Sequence, residues 1–377
     1  MMSENKHGSV HEPMFHLAKR DTIALWKAWL IRIAAVALGL VVCGMVAYLF
    51  SDRLREGKKT LADFYACFIK GSFGTERKLW KFLKNMAVLQ CVSLAVTPAF
   101  RMRFWNIGAE GQTLMSVWGA IAVAFYFGGT MPEWALLVLM LLAALVCGAV
   151  WAVIPAIFKA KWNTNETLFT LMMNYVATYV VSYFLVVWVP SGSSALGKLK
   201  YGKLPPLPFG NQYLLIILIA LAMTVCLYIY LHYSKQGYEI SVVGESVRTA
   251  QYSGMVVGKV IIRTMVVSGL LCGLAGYLIG AGLDQSVTTE SVGGQGFTAI
   301  MVSWLAKFNP LVMLLTSGLV SMLNSGAAQI SQDFNVSSAF PDVIVGIILF
   351  FIIGSEFFIN YRIMLTHKRH AGKEALK

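Results

Sequence analysis

The residues best suited to chemistry stand together in Asn106-Ile-Gly-Ala-Glu110-Gly-Gln112, a carboxylate between two carboxamides, spaced by Gly108 and Gly111. The segment opens with Arg101-Met-Arg-Phe-Trp105, and apolar runs at 85–100 and 113–127 flank it, each near the length of a membrane span. Such a set can hold a proton or cation, hydrogen-bond a polar solute, or fix a break in the backbone. In hydrocarbon an unpaired polar group costs several kcal/mol, so irregular backbone survives there only when protein covers it or it lines a wet cavity. A carboxylate at that depth is a functional hypothesis by default.

Other chemistries fail on residue types. Gly192-Ser-Ser-Ala-Leu-Gly197-Lys198 resembles the start of a phosphate-binding loop, but Leu199 stands where Ser or Thr must hold magnesium, and no buried strand precedes it. No H-E-x-x-H, G-x-S-x-G or Cys-His arrangement is present, so neither a metalloprotease nor a serine hydrolase has its machinery. An intramembrane enzyme has no nucleophile and base pair, so catalytic and metal sites are not expected. The cysteines Cys43, Cys67, Cys91, Cys147, Cys226 and Cys272 lie mostly inside apolar runs, without C-x-x-C spacing, and are expected to pack rather than bind zinc.

The elements around these residues must be membrane helices. The 377 residues are 57% hydrophobic and only 13% charged, with a mean hydropathy of +0.66, too apolar for a soluble chain. The formal charge of +13 sits in short loops and tails between apolar runs. That placement fits the positive-inside bias and argues against a nucleic-acid partner. The expected fold is all-α and polytopic, with about ten transmembrane helices, some broken or re-entrant. Spans are expected near 26–50, 84–100, 112–128, 134–158, 167–189, 212–233, 260–282, 297–307, 311–328 and 343–359. The eighth, between Phe297 and the break at Phe308-Asn309-Pro310, is about a dozen residues where a bilayer needs roughly 20. It is therefore read as a partial span, which also keeps the basic cluster His367-Lys368-Arg369-His370 inside.

Three regions follow: a cytoplasmic tail at 1–25 without a cleavable signal, a transmembrane domain at 26–360, and a basic cytoplasmic tail at 361–377. Residues 51–80 read as a long hydrophilic external loop, although their basic excess alone argues the other way; the parity of the later loops decides it. Arg32 is expected to snorkel toward headgroups. Gly269, Gly273, Gly276 and Gly280 recur on one side of the seventh span, where small residues let helices approach closely, within the chain or against another subunit.

Residues 237–255, between the sixth and seventh spans, carry Val243, Val247, Ala250 and Met255 at near-helical spacing, interrupted by Gly244 and Gly254, with Glu245 and Arg248 on other faces. A short helix of this kind, lying along the membrane's inner face, suits the groove of a partner or the interface itself.

The Asn106 to Gln112 stretch resembles the signature of ABC-transporter permeases of the simple-sugar and nucleoside import family, related to ribose and branched-chain amino-acid permeases. Gly71-Ser-Phe-Gly74, Asn165-Glu166, Met172-Met173-Asn174-Tyr175, and Gly244 with Tyr252-Ser253-Gly254 resemble further landmarks in the same order, over roughly residues 60 to 360. The resemblance implies a permease subunit of an ATP-driven importer in the bacterial cell membrane, both termini cytoplasmic. Its substrate would be a nucleoside or, second, a simple sugar. No cofactor is bound by this chain; ATP and Mg are used by a partner ATPase. The implied partners are that ATPase, a second and often different permease, and an external substrate-binding lipoprotein. Residues 237–255 become the coupling segment, with Gly244, Glu245, Arg248, Ala250, Tyr252 and Gly254 as its contacts. The family's acidic or Pro-containing turn and paired alanines are replaced here by Ser246, Val247, Arg248, Thr249 and Ala250, which implies altered partner specificity.

With a neutral solute implied, Glu110 needs no counter-ion role. Its carboxylate is expected to accept from the backbone N–H groups of its own glycine-rich turn, as a pivot that shapes the pathway together with Asn106, Gly108, Gly111 and Gln112. Asn174, Phe297, Trp304 and Trp105 are candidates to stack on or hydrogen-bond the solute. The competing reading is an ion-coupled secondary transporter with Glu110 as its proton or cation site.

Overall fold

The computed structural model describes residues 15–19, 24–189, 195–206, 211, 213–337 and 339–365. In chain order its elements are β1 (Phe15–Lys19), α1 (Leu25–Phe50), α2 (Asp52–Arg55), α3 (Leu61–Phe73), α4 (Glu76–Arg101), α5 (Ala109–Phe127) and α6 (Glu133–Trp162). They continue with α7 (Glu166–Trp188), α8 (Leu214–Tyr233), α9 (Lys235–Glu245), α10 (Val247–Tyr252) and α11 (Val257–Ile279), which runs on as a π-helical turn (Gly280–Asp284). The chain closes with α12 (Gln295–Leu305), α13 (Pro310–Phe334), α14 (Phe340–Asn360) and β2 (Tyr361–Leu365). Among the described residues eight helices are long and apolar enough to cross a membrane: α1, α4, α6, α7, α8, α11 with its π turn, α13 and α14. The 19-residue α5 and the 11-residue α12 stand where the other two of the ten expected spans fall. The fold is all-α and polytopic, apart from the short β1–β2 ladder.

The chain divides into two compact units, residues 1–66 with 327–377, and residues 67–326. In the first, α1 and α14 pair along their length. Gly39 lies against Phe351, and Arg32 donates to the Glu356 carboxylate at 2.6 Å. Arg32 thus finds an acid on the neighbouring helix rather than reaching only for headgroups. Strands β1 and β2 pair antiparallel, Phe15 opposite Leu365 and Lys19 opposite Tyr361. The chain therefore enters α1 and leaves α14 at the same end of the pair, as an even number of crossings requires. The cluster His367 to His370 and the Gly192 end of the glycine-rich loop lie outside the described residues.

Residues 51–80, expected as a hydrophilic loop, instead fold into α2, α3 and the start of α4. Phe64, Cys67 and Phe68 repeat at helical spacing and are all buried, while the 13 residues of α3, about 20 Å, are too few to span. Between Asp63 and Lys70 the apolar run is only six residues, too short to stand out as a span in a hydropathy reading.

In the second unit α11 is central, packed on α6, α5 and α4. A Cβ on Gly269 would stand 2.5 Å from the Gly148 carbonyl oxygen, one on Gly273 2.7 Å from Leu145 Cα, and one on Gly276 2.5 Å from Ser116 Cβ. The glycine face is thus used within the chain, bringing backbones together without side chains between them. Buried hydroxyls and amides tie the other helices. Gln90 of α4 donates to Thr224 of α8 at 3.1 Å and accepts from Ser317 of α13 at 3.0 Å, and Ser303 of α12 donates to the Ser93 carbonyl at 2.9 Å.

Candidate functional site

Helix α4 stops at Arg101, and the chain reverses through Arg103, whose φ of 58° is left-handed, before Gly108 starts α5. Several polar groups of this reversal are satisfied by buried side chains. Asn106 is fully buried; its Oδ1 accepts from Gly108 N–H at 3.0 Å and from Gln112 Nε2 at 3.1 Å, while its Nδ2 donates to Gln112 Oε1 at 3.3 Å and Ser268 Oγ at 3.4 Å. Helix α7 supplies the rest. Thr170 Oγ1 accepts from Ile107 N–H at 3.1 Å, and Asn174 accepts from Gly111 N–H and donates to the Ile107 carbonyl, both at 2.9 Å. The N-cap Asn165, accepting from Leu168 N–H, sets the start of α7 that brings Thr170 and Asn174 here. Both ends of the Asn174 carboxamide, proposed from sequence to face the solute, are engaged by backbone.

Glu110 does accept backbone N–H bonds, but from another glycine-rich segment than the expected one. Its Oε1 accepts from Gly294 N–H at 2.8 Å and its Oε2 from Gly296 N–H at 2.7 Å. These are the free N–H groups at the start of α12, where the helix dipole also favours an anion. Gly294, at φ 75°, makes the turn, and a Cβ on Gly296 would lie 2.7 Å from Glu110 Cα. Sequence reasoning missed this pairing; Gly293-Gly294-Gln295-Gly296 ahead of an apolar run was the available signal.

The second break lies beside the first. Lys307 and Phe308 both adopt positive φ, and Pro310 opens α13. Phe308 stacks on Phe100 at 6.1 Å, Trp304 meets Trp105 at 5.3 Å, and Phe100 meets Trp105 edge-on at 5.8 Å. Trp105 and Trp304 remain about half exposed, with Phe297 exposed on the same face of α12 two turns away.

The segment 237–255 forms two helices, α9 and α10, interrupted at Ser246 rather than at Gly244. Ser234 caps α9 and Ser246 caps α10. Val243, Gly244 and Ala250 are buried, whereas Glu245, Val247, Arg248, Tyr252 and Gly254 are exposed. Gly244 lies against the Arg101 carbonyl, and Arg263 of α11 holds Glu239 at 2.6 Å. The segment is therefore seated directly behind the first break. Between them opens a cleft of about 570 Å³, lined by Met102, Arg103, Lys159, Glu166, Glu245 and Gln251.

Apolar helices around a networked backbone break, with a two-helix segment packed against it, make this a multi-pass membrane protein. Residues 79–353 match the family described as branched-chain amino acid transport system / permease component, and the chain belongs to that family. It is 29% identical over 333 residues to the guanosine ABC transporter permease protein NupP of Bacillus subtilis, covering 86% of this chain and 93% of that one. It is 28% identical to the glucose ABC transporter permease protein TsgB13 of Haloferax volcanii, with 94% of each covered. The nucleoside ABC transporter permease protein NupB of Lactococcus lactis is 24% identical, over 86% of this chain and 90% of its own. The protein is thus a multi-pass transport subunit of an ABC importer, not an enzyme.

Proposed function

We propose that this subunit forms the pathway for neutral nucleosides, with simple sugars as the second class, in a bacterial cell membrane with both termini cytoplasmic. The relatives named for guanosine, nucleosides and glucose support neutral, polyhydroxylated cargo. The observation that carries the mechanism is the seating of α9 and α10 against the first break, Gly244 on the Arg101 carbonyl. A partner ATPase gripping the outward Glu245, Arg248, Tyr252 and Gly254 would act on the α4–α5 reversal through that contact. ATP and Mg belong to that partner; a second permease and a substrate-delivering lipoprotein complete the assembly. Asn106, Gly108, Gly111 and Gln112 shape the pathway by fixing the reversal, and Phe297, Trp304 and Trp105 offer ring faces to the solute.

The ion-coupled reading is disfavoured because both oxygens of Glu110 already accept from α12. The test is uptake of labelled guanosine by the reconstituted complex. ATP-dependent uptake without an ion gradient is expected; uptake driven by an ion gradient in the absence of the ATPase would overturn the reading.

A further inference from the structure

The exposed faces of α6 and α7 differ in a way that bilayer chemistry makes informative. Along α6 the outward residues are Trp134, Val138, Leu142, Val146, Val150 and Phe158, rings at the ends and aliphatic chains between. That is the pattern of a lipid-facing helix, with aromatics at the headgroup levels. Along α7 the order is inverted. Tyr175, Tyr179 and Tyr183, 58%, 74% and 66% exposed, form one row at four-residue spacing in the interior of the helix.

At about 1.5 Å per residue, Tyr175 and Tyr179 lie roughly 13 Å or more from both ends of α7, well inside a hydrocarbon layer about 30 Å thick. None of the three hydroxyls makes a hydrogen bond among the described residues. A hydroxyl facing lipid there would go unpartnered. The row is also free of charge: beyond Glu166 in its first turn, α7 carries no Asp, Glu, Lys, Arg or His. Rings with hydroxyls, and no charged group, complement a neutral solute that has both a flat heterocycle and alcohol groups.

We propose that Tyr175, Tyr179 and Tyr183 line the aqueous pathway and form a ladder of stacking and hydrogen-bonding contacts for the nucleoside. This rests on the nucleoside-import reading above. Successive rungs one helical turn apart, about 6 Å, let a solute exchange one contact for the next. The Asn174 carboxamide beside Tyr175 is held by backbone, so the ladder is mounted on the same turn of α7 that fixes the first break.

The test uses the assembled importer in liposomes, this chain carrying Tyr179→Cys after replacement of its six native cysteines, with Leu142→Cys on α6 as the companion. A membrane-impermeant charged thiol reagent is expected to modify position 179 and not 142, and guanosine to slow that modification at least fivefold. Tyr179→Phe, which keeps the ring, is expected to raise the half-saturating guanosine concentration about fivefold at unchanged maximal rate, the worth of one net hydrogen bond. Position 179 silent to the impermeant reagent but modified by a lipid-soluble maleimide would overturn the proposal, as would its cross-linking to the second permease. Modification without guanosine protection, in an importer whose parent transports guanosine, would also overturn it while leaving nucleoside import intact. A parent that transports no nucleoside defeats the nucleoside-import reading instead.

Discussion

The two interruptions of the membrane helices meet the same backbone problem in opposite ways. At the first, between α4 and α5, the freed N–H and C=O groups are satisfied by Asn106, Thr170 and Asn174, with Gln112 and Ser268 completing the network. All five are buried; Asn106 belongs to the reversal itself, and the others come from α5, α7 and α11. At the second, between α12 and α13, the partners are local. Phe308 N–H reaches the Ser303 carbonyl, and Asn309 accepts from Leu311 N–H two residues on. A break closed from within its own turn can change shape by itself. One closed by other helices holds those helices in register, and carries any displacement to them.

The sharpest way to break that contrast is at the α12 start. Gly296→Val would set a side chain 2.7 Å from Glu110 Cα and displace the helix start. We expect loss of assembled protein or at least a tenfold fall in uptake, read from membrane yield and guanosine transport, because backbone cannot yield cheaply there. Glu110→Gln keeps shape but points an amide at one of the two N–H donors. Hydrogen bonds to charged groups are worth about 1.5–3 kcal/mol, so assembly should persist while uptake falls by roughly tenfold or more; normal uptake would refute the assignment. Asn106→Ala leaves Gly108 N–H and the Gln112 amide without their partner, and should cost about 1–3 kcal/mol, seen as a lower unfolding midpoint in detergent. Asn309→Ala at the second break removes one exposed cap and should cost about 1 kcal/mol or less. If Asn309→Ala proved as damaging as Asn106→Ala, the distinction between a networked and a local break would fall.

Much of this was legible in the chain itself. Hydropathy and basic loops foretell Leu25–Phe50 and Leu214–Tyr233 to within a few residues, whereas the span expected at 84–100 starts at Glu76 and the one expected at 311–328 runs on to Phe334; Phe308-Asn309-Pro310 marks the second break. The first break was visible as Asn106 to Gln112, because amides and an acid between apolar runs have no ordinary packing role. Its partners were not. Gly294 and Gly296 lie more than 180 residues from Glu110 in sequence, and a glycine-rich helix start marks free N–H groups without saying which distant acid they meet. The α3 helix escaped because its apolar run, between Asp63 and Lys70, is far shorter than a span. The tyrosine row escaped because periodicity says which residues share a face, but not whether that face meets lipid, water or protein.

The paired bonds from Gly294 and Gly296 to one carboxylate have a kinematic consequence. Both donors meet a single carboxylate of α5, so a displacement of α5 is passed first to the start of α12. Irregular backbone flanks α12 on both sides, the non-helical stretch before Gly294 and the left-handed pair Lys307 and Phe308. A transport cycle that tilts α5 therefore carries the start of α12 with it.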